Sequence, residues 1–97
     1  MNIQAMMQQA RKMQKDIEKT TEEIDNTTYE YENENVAIEA KGNNKITKIE
    51  IKNEDILEDA EMLSDVLVVA VNNIIEKIRQ DKEKKLGKYA SGLGGLF

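Results

Sequence analysis

Lysine and arginine gather in two stretches of this chain, and these are the side chains most able to do chemistry. Residues 77–88 hold Lys77, Arg79, Lys82, Lys84, Lys85 and Lys88 against Asp81 and Glu83, a local net charge of +4. Residues 11–19 hold Arg11, Lys12, Lys15 and Lys19 against Asp16 and Glu18, a local +2. Clustered cations neutralise phosphates and release their counterions. The same cations also suit a helix C-terminus, whose carbonyls carry partial negative charge. Glu76–Arg79, Asp81–Lys84 and Asp81–Lys85 have the spacing of ordinary pairs on one helix face. Composition alone leaves both readings open.

Other chemistries are easier to set aside. The chain has no histidine and no cysteine, which excludes zinc sites built on those residues, Ser-His triads, disulfides and thiolate nucleophiles. Carboxylates are many, but a catalytic acid needs a desolvated setting. Here they alternate outward or cluster at a helix start. Asp55, Glu58, Asp59 and Glu61 match no calcium loop, so no metal and no cofactor is expected. The segment GKYASGLGG lacks GxxxxGK[ST] and follows a helix, so it is no phosphate loop. Met1, Met6, Met7 and Met13, with Gln4, Gln8, Gln9 and Gln14, read as adaptable packing or as a promiscuous peptide-binding surface.

The elements that must position the cations follow from periodicity. Ile3, Met6, Ala10, Met13, Ile17, Thr20 and Ile24 are spaced 3-4-3-4-3-4. That heptad seam predicts a helix over about 2–25 and asks for a neighbouring helix. Ile3, Met6, Ala10, Met13 and Ile17 are the candidate dimer interface. Alternation then predicts three antiparallel strands near 27–34, 35–42 and 45–52, with Gly42-Asn43-Asn44 supplying positive backbone angles for a tight hairpin. Ile46 breaks the alternation and marks a bulge or a turn contact. An acidic linker, 53–60, ends at Asp59, a candidate N-cap. A broad apolar stripe from Leu63 to Ile78 predicts a second helix over about 61–86, covering the sheet with its first half and projecting with its last two turns. The glycine-rich tail, 86–97, is expected to be flexible.

At 97 residues the chain is a single domain, 1–97, too small for a large enclosed cleft, and no small-molecule substrate is expected. No apolar run approaches a membrane span, and the first residues lack signal-peptide features, so the expectation is a cytoplasmic protein without a membrane partner. The net charge is −5. Outside the two basic stretches the balance is −11, concentrated in the strands and linker. Any anion site therefore belongs on the helices.

The whole pattern resembles the YbaB/EbfC family of bacterial nucleoid-associated DNA-binding proteins. AMMQQARKMQKDIEK is similar to that family's first helix, and VAIEAKGNNKITKIEI to its central hairpin, through Val36, Ile38, Gly42, Ile49 and Ile51. NEDILEDAEMLSDVLVVAVNNIIEKI resembles its linker and second helix, and KLGKYASGLGG its small-residue ending. The chain departs from the pattern at YENENVA, where members commonly carry glycines, and at Asn53-Glu54, where many carry proline. The resemblance implies an α+β fold, α-β-β-β-α, with a three-stranded antiparallel sheet and two long helices. It implies a homodimer whose projecting helices grip duplex DNA like tweezers, no enzymatic activity, and a place on the nucleoid. Mapped onto this sequence, the implied DNA contacts are Arg11, Lys12, Lys15, Lys77, Arg79, Lys82, Lys84, Lys85 and Lys88. The net charge and the Met-lined seam also fit a different role, a helical dimer serving as an adaptor in replication or recombination without touching DNA.

Overall fold

The structure, a computed structural model, describes residues 2–92, with side chains as far as Tyr89. Helix α1 spans Ile3–Asn26. Asn2 caps it, its Oδ1 accepting from the amides of Gln4 (3.0 Å) and Ala5 (3.4 Å). Three strands follow, β1 (Thr28–Glu32), β2 (Val36–Lys41) and β3 (Ile46–Ile51), in one antiparallel sheet of order β1-β2-β3. Each strand lies within the range that alternation predicted.

Local chemistry makes the turns. Between β1 and β2, Asn33 Oδ1 accepts from the amides of Asn35 (2.8 Å) and Val36 (3.0 Å), so an asparagine closes this hairpin. Between β2 and β3, Asn44 adopts φ 68° and its amide donates to Lys41 O at 2.9 Å. The positive angle thus falls on Asn44. Gly42 serves another purpose. A Cβ there would lie 1.8 Å from the backbone oxygen of Ile24, so only glycine lets the end of α1 seat on this turn.

The register slips between Glu39, opposite Lys48, and Ala40, opposite Ile46, leaving Thr47 as the extra residue. This is the bulge signalled by Ile46. Its effect is to put Ile46 on the same face as Ala40, Ile38 and Ile49. The Thr47 hydroxyl donates to Glu39 Oε2 at 2.7 Å on the other side.

The acidic linker folds into a 3-10 turn, Glu54–Glu58, pinned by the fully buried Ile56. Asp59 then caps helix α2, its Oδ1 accepting from the amides of Glu61 and Met62, both at 3.1 Å. Helix α2 runs Ala60–Gly92, past the expected end near 86. Gly87 does not stop it, because one glycine inside a helix costs only about 1 kcal/mol. Leu86 and Tyr89 on either side of it are half-buried. The first part of the expected tail is therefore helical; residues 93–97 lie outside the described residues.

The core is small and aliphatic. Ile24, Val36, Ile38, Ala40, Ile56, Ala70, Ile74 and Ile78 are each 2% exposed or less, with Tyr29 beside them. Helix α2 packs across β1 and β2. On β3, Ile46 and Ile49 remain open although they share the covered face. The two helices are about 36 and 50 Å long, and they draw the molecule out to 69 × 21 × 16 Å.

Candidate nucleic-acid interface

The cations sit on an arm built by both helices. Helix α1 meets the sheet at its C-terminal end, at Ile24, and α2 leaves the sheet after Ile78. The two therefore run side by side away from the core, in opposite directions. Half-buried Met13, Ile17 and Thr20 on α1, and half-buried Lys82, Leu86 and Tyr89 on α2, mark where they meet. The heptad seam thus finds part of its neighbour within its own chain. Towards the N-terminus the seam is uncovered: Ile3 and Met6 are 70% and 53% exposed, and Ala10 is exposed too.

On α1, Arg11, Lys12 and Lys15 lie on the face opposite this seam, with Gln4 and Gln8. All three are exposed, and none has an acidic partner within the described residues. On α2, Lys77, Lys84 and Lys88 share a stripe turned away from the Leu86 side. Lys77 donates to the β1 carbonyl of Glu30 at 2.7 Å. Lys88 lies over the Tyr89 ring, 5.1 Å from its centroid. Lys84 makes no ion pair and feels the charge of Asp81.

The remaining sequence-derived cations are engaged or displaced. Arg79 lies on the far flank, held by Glu76 (2.5 Å) and Glu83 (2.6 Å). These carboxylates raise the guanidinium pKa, while Arg79 lowers that of Glu76. Lys85 pairs with Asp81 at 2.8 Å. Lys82 is half-buried. The two readings of the basic cluster therefore divide it between them. Arg79 and Lys85 act as helix-face pairs, and Lys84 with the α1 cations remains available to phosphate.

A hydrogen bond that the sequence did not signal joins arm and sheet. The Tyr29 hydroxyl donates to Asp81 Oδ2 at 2.5 Å, across 52 residues. Burial first, then this bond and the Asp81 charge, push the phenol up from 10.0 to about 12. The hydrogen bonds from Lys85 and then Tyr29 hold the Asp81 carboxyl below its ordinary range, against the opposing effect of burial. Tyr29 was legible as an inward residue of β1, but nothing in the spacing linked it to position 81.

The outer sheet face has the opposite character. Glu30, Glu32, Glu39 and Glu50 line a shallow open concavity there with Lys48. Lys52 pairs with Glu32. A phosphate backbone is repelled from this side. Among the described residues, no three acidic side chains gather as a metal site would require, and no helix is long and apolar enough to cross a membrane.

Several nucleoid-associated proteins are similar to this chain over nearly its whole length. A nucleoid-associated protein of Ligilactobacillus salivarius is 36% identical, the match covering 99% of this chain and 95% of that protein. One from Enterococcus faecalis is 37% identical over 98% and 94%. One from Lactococcus lactis is 40% identical over 96% and 97%. The model of the YbaB/EbfC DNA-binding family matches residues 1–93, and with helix, three antiparallel strands and long helix in that order, the chain belongs to this family.

Proposed function

We propose that this protein is a non-catalytic, nucleoid-associated protein of the bacterial cytoplasm that binds duplex DNA as a homodimer through the cations of its arm. The observation that carries this reading is the division of charge. Arg11, Lys12, Lys15 and Lys84 face outward on the arm without ion pairs, while the sheet face is acidic. Family membership and the names of the relatives point the same way. Lysine-dominated contacts read phosphate and not base edges, so binding discriminates weakly among sequences. Two copies double the phosphates engaged, and the salt dependence is correspondingly steep. With about six contacts, affinity falls about 10³-fold between 50 and 200 mM salt.

A duplex titration at several salt concentrations tests this. The triple variant Lys12→Glu, Lys15→Glu, Lys84→Glu should bind at least tenfold more weakly and with a shallower salt slope. Wild-type protein that fails to shift a duplex at low salt would overturn the proposal. The uncovered seam at Ile3 and Met6 favours a second reading, an adaptor that docks another helix there. Unchanged nucleoid localisation of the triple variant would favour it.

A further inference from the structure

The two helices of the arm keep one register along their shared seam. In an antiparallel pair of equal rise, a step along one helix is a step back along the other. Ile24 and Ile78, both buried, fix where the pair begins. From there the register sets Thr20 by Lys82, Ile17 by Leu86 and Met13 by Tyr89, and all six are half-buried. Beyond Met13 the α1 seam loses its cover. Ala10 is exposed, and Met6 and Ile3 are 53% and 70% exposed. The apolar spacing of the other strand of the arm does not lapse there. Leu86, Tyr89, Leu93 and Leu96 repeat at 3-4-3, the period of the α1 seam itself. Carried two steps further, the register assigns position 93 to Ala10 and position 96 to Met6.

We infer that the cover is the chain's own segment 93–97, which straps the tip of the arm by docking Leu93, Leu96 and Phe97 on Ala10, Met6 and Ile3. This contact goes beyond DNA binding and does not depend on it. Besides the matching period, three observations favour this occupant. The first is reach. Helix α2 is described to Gly92, which the register sets level with Ala10. Met6 lies about 6 Å further along the arm and Ile3 about 11 Å. Five residues span about 7 Å as a helix and about 17 Å when extended, so the segment reaches the open seam without straining.

The second is charge. Residues 2–10 hold no Asp, Glu, Lys or Arg, and neither do residues 89–97. The charges of the arm stop on both sides at the same level, just where the seam opens. An uncharged segment therefore meets an uncharged stretch of helix, and closing them together desolvates no ion. The third is tethering. The segment is joined to Gly92 beside the open seam, so its effective concentration there is on the order of millimolar. A second copy at micromolar concentration competes poorly with it. A helix from any other partner must displace this strap before it can use the seam.

The chain has no cysteine, so an engineered pair reports on this contact alone. In the full-length protein, Met6→Cys with Leu96→Cys should close a disulfide within one chain under oxidised glutathione. It should do so about tenfold faster than Gln8→Cys with Leu96→Cys, because position 8 lies on the face opposite the seam. Equal rates for the two pairs would mean that the segment visits the tip without docking, and would overturn the inference. Links formed between chains would assign the seam to a second copy and overturn it too. A second measurement uses the cysteine-free chain. Leu96→Asp with Phe97→Asp should speed amide hydrogen exchange at residues 7–10 about tenfold, while the amide of Ile74 in the core keeps its protection. Unchanged exchange at residues 7–10 would sink the strap. None of these readouts involves DNA, so they leave the reading of the arm's cations untouched.

Discussion

Helix α2 is one continuous rod that obeys two sets of rules. From Leu63 to Ile78 its packed face is aliphatic, with Ala70, Ile74 and Ile78 at 1% exposure or less. From Arg79 onward it is a ladder of lysines and acids, with Leu86 and Tyr89 as its half-buried hydrophobic points. The first region is held by removal of apolar surface from water. The second is held by helix propensity, by exposed ion pairs worth little, and by one side of α1. Stability is thus concentrated over the sheet, and the arm is free to spend its charges on a partner.

Predictions that would break this contrast can be ranked. Ile74→Ala empties a fully buried site and should cost about 2–5 kcal/mol in a denaturant titration. The charge reversals on the arm should leave the midpoint within about 0.5 kcal/mol while weakening DNA binding. Next come the two helix-associated glycines. Gly42→Ala should destabilise by about 1–3 kcal/mol, because the added methyl meets the Ile24 carbonyl and the joint must open. Gly87→Ala should do the reverse, stabilising by about 0.5–1 kcal/mol, since nothing lies within 4 Å of its methyl and only helix propensity changes. Equal effects at the two positions would refute the distinction between joint and arm.

The smallest effect lies at the link between the regions. Tyr29→Phe removes the bond to Asp81 and should cost about 1 kcal/mol near neutral pH. Its signature is alkaline. The folded-state phenol is raised from 10.0 to about 12, so its contribution is complete below pH 10 and disappears as pH climbs to about 12. Asp81 works in the other direction. Its lowered pKa contributes above the ordinary carboxylate range and is lost as pH falls through it. The stability advantage of wild type over Tyr29→Phe should shrink as pH rises from 10 towards 12, read as a narrowing gap between their denaturation midpoints.

The fold was largely legible because two periodicities are clean. Val36, Ile38 and Ala40 alternate, and Leu63 to Ile78 repeats at helical spacing, so elements, order and the Asp59 cap follow from local rules. Ile46 even announced the bulge. What stayed hidden depends on distance in space. No pattern says that Gly42 must admit the Ile24 carbonyl, that Tyr29 reaches Asp81, or that α2 stops short of β3. The candidate site was legible as a set of cations and not as individuals. Spacing showed that Arg79 and Lys85 could pair with acids, but it could not choose between those pairs and phosphate. Only the arm's geometry separates Lys84 from its neighbours.

The continuity of α2 has a mechanical meaning. Clamped over Ala70–Ile78, tied once more to β1 at Asp81 and unsupported by the sheet beyond, it is a cantilever whose overhang to Gly92 is about 17 Å. Under the proposed binding to phosphate, a pull on a lysine of the arm would become a torque at the clamp, resisted by Ile74 and Ile78 against β1 and β2. The aim of the arm is therefore set by aliphatic packing far from any charge.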